Sequence, residues 1–362
     1  MRRAVLILAL VLSAGRHVDA QCPEAAAFAS AEQELLQGKP AAAAQTLAPL
    51  QQSFPQCHEI VLLLGRVRAA QGMPTLAREL LTRYTQLEPR DFRGFMALAE
   101  VLTGQGEYPA AEQALRTALQ IEPDSVTAHL AEGVILARQG RKHAAEAQRA
   151  FEKACQLAPG NPKTHFQLGV FLDNRGSYAE AAAAFRRVVS LDPNNSTAWR
   201  YLGMELELAG EPAKADAAYK QGLAVNREPR FDPLLAYHYG RFLLQLNRLA
   251  ESKVYLDRAV ELLPDYGAGY YQRAKLYLEM EKYTEARADA ERVLAIPEAR
   301  RFTYDFQIDY LLATIYRRLG ERELAEKFAT LARTAQREQE QSRKASNLER
   351  MANIPAGNAG PR

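Results

Sequence analysis

The reactive side chains of this chain are few and scattered. Three cysteines, Cys22, Cys57 and Cys155, and six histidines occur in 362 residues. They form no Cys-x-x-Cys pair and no His-Glu-x-x-His zinc motif, and no Gly-rich phosphate loop accompanies them. The chemistry on offer is that of recognition. In the second half, Arg200-Tyr201, Tyr237-His238 with Arg241, and Tyr271-Gln272 with Lys275 alternate rings and cations. Tyrosine and arginine combine contact area, hydrogen bonds and cation–π attraction at modest entropic cost, which is why binding hot spots are rich in them.

The elements that must position these groups show in the prolines. Pro55, Pro89 and Pro123 are 34 apart; Pro159 follows after 36, Pro193 after 34 and Pro264 after 71. Repeats set to begin at Glu24, His58, Phe92, Val126, Pro162, Ser196, Pro233, Gly267 and Phe306 align the remaining signals. The fifteenth place reads Gly38, Gly72, Gly106, Gly140, Gly176, Gly210, Asn247, Glu281 and Gly320. Eight of these nine suit the left-handed residue that ends a helix. The twentieth place is Ala in eight repeats and Ser252 in the seventh, small enough for two helices to cross closely. Four places on stand Leu47, Leu81, Leu115, Phe151, Phe185, Tyr219 and Leu256, the spacing of a buried helical stripe. Each repeat therefore reads as helix, turn, helix and proline-marked loop, and Ser177 with Glu180 reads as a capping box.

Composition fits such an array. A content of 48% hydrophobic and 25% charged residues excludes collagen-like and wholly disordered chains. A formal charge of +3 leaves no global field for nucleic acid. Once residues 1–20, the repeats and the tail are assigned, no sequence is left for a catalytic domain. His129 and His165 share the fourth place of their repeats and read as packing residues.

At the N-terminus Arg2 and Arg3 precede an apolar run from Ala4 to Ala14 and a small-residue site at Val18-Asp19-Ala20. Residues 1–20 read as a secretory signal peptide. A spanning helix needs about 20 apolar residues, so no membrane span is expected after cleavage. Export would expose the cysteines to an oxidising compartment, where an odd count leaves one thiol over. Cys155 reads as a small buried thiol. Cys22 and Cys57 occupy equivalent loop places one repeat apart, roughly 10 Å by helix spacing. A disulfide then requires the N-terminal segment to bend inward, and bonded and free states both stay open.

The whole pattern is similar to the tetratricopeptide repeat. Trp199-Arg200-Tyr201-Leu202-Gly203 matches that family's tryptophan-to-glycine start, its eighth-place glycine recurs at Gly65, Gly133, Gly169, Gly203 and Gly240, and Pro193 and Pro264 match its terminal proline. The resemblance implies an all-α fold, an α-solenoid forming a right-handed superhelix of antiparallel helix pairs. It implies six repeats over 24–229 and three over 233–339, with Arg230-Phe231-Asp232 inserted as a joint. A charged helical extension and disordered tail would occupy 340–362.

In that family the first helices of successive repeats line a concave wall that binds ligands, through the second, fifth, sixth, ninth, twelfth and thirteenth places. In the first four repeats these places are largely aliphatic, including Phe28, Leu62, Met96, Ala97 and Leu130, interrupted by Glu32, Arg66 and Glu100. Further on they read Lys163, Phe166, Asn174, Arg200, Tyr201, Met204, Tyr237, His238, Arg241, Tyr271, Gln272, Lys275 and Tyr310. Arg200, Arg241 and Lys275 would form a ladder suited to carboxylates of an acidic peptide. The opposing reading has the tyrosines packing against neighbouring repeats and the cations merely solvated. The Lys/Asn/Lys/Arg set with which family members clamp a chaperone's terminal carboxylate is not reproduced. The expectation is an exported, periplasmic or secreted, non-enzymatic scaffold that binds a protein or peptide and needs no cofactor or metal. The alternatives are a self-associating scaffold of the cell envelope and a glycan-binding envelope protein.

Overall fold

The computed structural model describes residues 22–23, 26–227, 231–297 and 305–352. The signal peptide read over 1–20 and the last ten residues of the tail lie outside the described residues. Among the described residues there are eighteen α-helices in nine pairs and no strands. In chain order they are α1 (Ala26–Leu36) and α2 (Pro40–Ser53), α3 (His58–Ala70) and α4 (Pro74–Leu87), α5 (Phe92–Gln105) and α6 (Tyr108–Ile121). Next come α7 (Val126–Arg138) and α8 (Ala144–Leu157), α9 (Pro162–Asn174) and α10 (Tyr178–Leu191), α11 (Ser196–Leu208) and α12 (Pro212–Val225). The last pairs are α13 (Leu234–Gln245) and α14 (Leu249–Leu262), α15 (Gly267–Glu279) and α16 (Tyr283–Ala295), and α17 (Asp305–Leu319) and α18 (Arg322–Ala352). The fold is an all-α solenoid. None of the described helices is long and apolar enough to cross a membrane.

The turn between the helices of a pair has one geometry throughout. All nine fifteenth-place residues have positive φ, from 56° at Asn247 to 101° at Gly140. Glu281, whose type gives no stop signal, adopts φ 59° all the same. The lengthened fourth turn forms a 3-10 segment, Arg141–His143.

Packing follows from small residues set against large ones. The twentieth-place residues are buried in every repeat, with no exposed surface from Ala43 through Ala286. The eighth-place glycine receives the large side chain that follows the twentieth place by four. A Cβ on Gly203 would lie 2.7 Å from the Tyr219 ring, and on Gly65 2.7 Å from Leu81. The fourth place ties the loop to the helix. His129, His165 and Trp199 each bond by a ring nitrogen to the carbonyl of Pro123, Pro159 and Pro193, six residues upstream. The proline loop is thus fastened to the next helix, whose start is capped by Asp91, Ser125, Asn161 or Asn195.

Ser177 does not cap. The residue after the left-handed glycine has ψ near 60°, at Ser177 as at Lys39 and Met73, and its side chain makes no bond to the amides of the following turn. Cys22 and Cys57 are joined by a disulfide, their Cα atoms 4.9 Å apart, so the N-terminal segment does bend inward over the core of the first repeat. Cys155 is free and buried, and burial raises its thiol pKa.

The chain divides into two compact units with the boundary between Arg175 and Gly176. In the first, Phe28, Leu62, Ala97 and Leu130 at inner places are buried in the packing. In the second, the insertion ahead of the seventh repeat is pinned at its described end. The Asp232 amide donates to Asn226 Oδ1, its carbonyl accepts from Asn226 Nδ2, and its carboxylate caps α13 at the Leu234 amide.

Candidate functional site

In the second compact unit α11 touches α13, α13 touches α15 and α15 touches α17, so the first helices of four repeats present successive faces. These faces carry ten of the thirteen candidate binding residues. The other three belong to α9 in the first unit. Lys163 is exposed and Phe166 half-buried, and Asn174 donates to the carbonyl of Val170 at 2.7 Å.

The expected ladder of three cations is reduced. Arg200 is 7% exposed; its Nε donates to Asp232 Oδ2 at 2.7 Å, and its guanidinium lies 4.5 Å from the Tyr201 ring centroid. Met204 Sδ lies 3.5 Å from Arg200 Nη1. Arg241 is held at Nη2 by Glu207 Oε2 at 2.8 Å. Gln245, with its amide turned to satisfy both neighbours, donates to Glu207 Oε1 at 2.7 Å and accepts from Arg241 Nη1 at 3.1 Å. Both arginines thus spend their charge inside the chain. Lys275 is exposed, its Nζ 5.8 Å from the Tyr271 ring centroid, and has no ion-pair partner among the described residues.

The tyrosines divide between packing and exposure. Tyr201 stacks on Phe185 with centroids 4.9 Å apart. Tyr237 is 8% exposed and meets Tyr266 edge-on at 5.1 Å; burial raises its hydroxyl pKa. Tyr271 is half-buried, and Tyr310 is 71% exposed. His238 lies edge-on to Tyr237, with Nδ1 buried and without a hydrogen-bond partner among the described residues. Burial, and then the charges of Arg200 and Arg241, hold its pKa well below 6.5, so the ring is neutral near pH 7.

What stays open is a concavity of about 370 Å³ between α13 and α15, lined by Arg241, Leu244, Gln245, Asn247, Gln272, Lys275 and Glu279. Its walls offer amides, one fixed guanidinium, one solvated ammonium and one carboxylate. That mixture suits the amide groups and polar side chains of a peptide better than a single anion. Among the described residues no group of three or more His, Cys, Asp and Glu is placed to hold a metal.

Glu207 and Asp232, which neutralise the arginines, are absent from the set of candidates that residue type and register select. Glu207 could have been found: it holds the twelfth place of its repeat and lies 34 residues before Arg241, so it faces the ninth place of the next repeat. Asp232 sits in an insertion outside the register.

Sequence-family comparison agrees with the helix pairs. Models described as tetratricopeptide repeat match residues 28–92 and 96–162, 140–206, and 235–266 and 268–300. No curated protein matches the chain. Among solved structures it is similar to a tetratricopeptide repeat protein from Parabacteroides merdae, with 16% identity over 66% of this chain and 92% of the other and a TM-score of 0.47. It is also similar to Pseudomonas aeruginosa pilF, with 21% identity over 59% and 96% and a TM-score of 0.47. A thermophilic TPR protein of Thermus thermophilus matches at 21% identity over 53% and 98%, with a TM-score of 0.44. Repeat spacing, turn geometry and these family matches lead to one conclusion: the chain belongs to the tetratricopeptide-repeat family.

Proposed function

We propose that the protein is an exported, non-enzymatic scaffold that holds a protein or peptide partner on the inner face of its second compact unit. The observation that carries this reading is the concavity between α13 and α15, whose walls hold the exposed Gln245, Lys275 and Glu279 and the half-buried Gln272. Repeat proteins of this kind serve as interaction scaffolds, and their function resides in such exposed faces. Export is supported by the apolar run behind Arg2 and Arg3 and by the Cys22–Cys57 disulfide, a bond that persists in oxidising compartments.

The test is affinity capture from envelope and secreted fractions with the wild-type protein and a Gln272→Ala/Lys275→Ala variant, together with mass spectrometry of the native N-terminus. A partner held by the wild type and lost by the variant, and a chain beginning near Gln21, are the expected results. Equal capture by both proteins removes the site, and an uncleaved N-terminus in the cytosol removes export.

Self-association is a second reading favoured by one feature. On α18, Leu324 and Leu331 are exposed two turns apart, with the half-buried Phe328 between them in sequence. Sedimentation that shows a dimer in the wild type and a monomer in Leu324→Glu/Leu331→Glu supports it; a wild-type monomer at every concentration dismisses it.

A further inference from the structure

Five cations stand at inner places of α11, α13, α15 and α17: Arg200, Arg241, Lys275, Arg317 and Arg318. The first two are neutralised inside the chain by Asp232 and Glu207. The other three are exposed and have no ion-pair partner among the described residues. Arg317 and Arg318 hold the twelfth and thirteenth places of the ninth repeat, where Glu207 in the sixth repeat supplies a counter-ion to the next helix. The remaining inner places of α17 add no carboxylate: they include Tyr310, 71% exposed, and Thr314, whose hydroxyl is turned back to the carbonyl of Tyr310. Glu279 is the one carboxylate at the described inner places of α15 and α17. The unspent positive charge of the second unit therefore gathers in its last two repeats, displaced from the ladder that residue types alone suggest.

We propose that Lys275, Arg317 and Arg318, with the exposed ring of Tyr310, dock an acidic, extended segment of a partner protein. This rests on the inner face of the second unit being a binding face, and adds the charge of the partner and the end at which it is held. Charge complementarity names the occupant: three solvated cations answer carboxylates, while the ring of Tyr310 and the amides of Gln272 and Gln245 answer the body of a peptide. Phosphate polymers fit less well, because three cations release few counterions.

The experiment uses the full mature chain and fluorescence anisotropy at low salt. The probes are labelled peptides of alternating Glu and Ser, Gln and Ser, and Lys and Ser, a thymidine oligonucleotide and anionic phosphatidylglycerol vesicles. The Glu/Ser peptide is expected to bind best, and to bind about tenfold more weakly to Lys275→Gln/Arg317→Gln/Arg318→Gln, three exposed pairs being worth that much together. A control with the same charge change in the first unit, Arg83→Gln/Arg90→Gln/Arg116→Gln, should leave it unchanged. Equal binding of the Gln/Ser peptide, an unaffected triple variant, or tighter binding of the oligonucleotide or vesicles overturns the proposal. A random displayed peptide library separates the two readings. Neutral peptides that need Gln272 but not Arg317 and Arg318 leave the binding face standing and remove the acidic partner; no selected peptide at all removes both.

Discussion

Arg200 donates from Nε to Asp232 Oδ2 at 2.7 Å across 32 residues, and both side chains are buried. A buried pair is costly to break from one side, because the survivor keeps its charge out of water. Asp232→Ala should therefore lower stability by about 3–5 kcal/mol, with faster hydrogen exchange in both α11 and α13. Arg200→Met combined with Asp232→Ala should recover most of the loss. Urea midpoints for the three proteins check this, and a double variant no better than Asp232→Ala contradicts it. Replacing Arg200 thus tests folding rather than ligand binding.

The turn at Glu281 carries a second expectation. A side chain at φ 59° is strained where glycine is not, by about 1–2 kcal/mol before the greater freedom of glycine in the unfolded chain is subtracted. Glu281→Gly should raise the thermal midpoint, with a net gain of about 1 kcal/mol. Glu285→Gly, in the first turn of α16, should lower it. A fall with Glu281→Gly would show the turn to be built otherwise.

Gly203 and Tyr219 are fitted to each other, since a Cβ at Gly203 meets the ring at 2.7 Å. Gly203→Ala should cost about 1–3 kcal/mol. Adding Tyr219→Leu reproduces the Ala99 and Leu115 arrangement of the third repeat, and should return part of that loss in chemical denaturation. An unaffected Gly203→Ala protein contradicts the fit.

Stability should fall in mild acid partly through His238. Burial, with Arg200 and Arg241, puts its folded-state pKa below the ordinary 6.5, so the unfolded chain takes up the proton first as pH falls. Its contribution is full above pH 6.5 and is lost from there toward the lower folded value. The gap in stability between wild type and His238→Asn should narrow from about pH 7.5 to about pH 5. Asp91 and Asp216, held low by their hydrogen bonds, add an acid loss at lower pH that both proteins share. A gap that does not change with pH contradicts a neutral ring with a buried Nδ1.

Reduction of Cys22–Cys57 should loosen the first repeat. The two cysteines are 35 residues apart, and chain entropy for a loop of that length suggests about 3–4 kcal/mol. In dithiothreitol, exchange should quicken in α1 and α2 and not in α17. Unchanged protection of α1 would show the helix held by packing alone.

Much of the fold was legible because each repeat solves the same packing problem. Gly at a left-handed turn and Ala at a helix crossing are local demands, so residue type and spacing suffice to find them. Even Glu281 obeys the spacing against its own preference. The site was legible as a face and less so as chemistry. Whether Arg200 or Arg241 is free depends on carboxylates brought up by other segments, and Asp232 arrives from an insertion that breaks the register. Ser177 has the composition of a cap but follows a left-handed glycine, and its side chain makes no capping bond. The Cys22–Cys57 pairing depended on the path of a segment outside the repeat.

The central claim is that a peptide partner occupies the inner face of the second compact unit. The most direct test places a photo-crosslinking amino acid at Gln272, in the concavity, and separately at Val254, exposed on α14. Irradiation of each protein with envelope and secreted fractions should give a discrete adduct from position 272 and none from 254. Adducts from 254 alone, or equally from both, would contradict it.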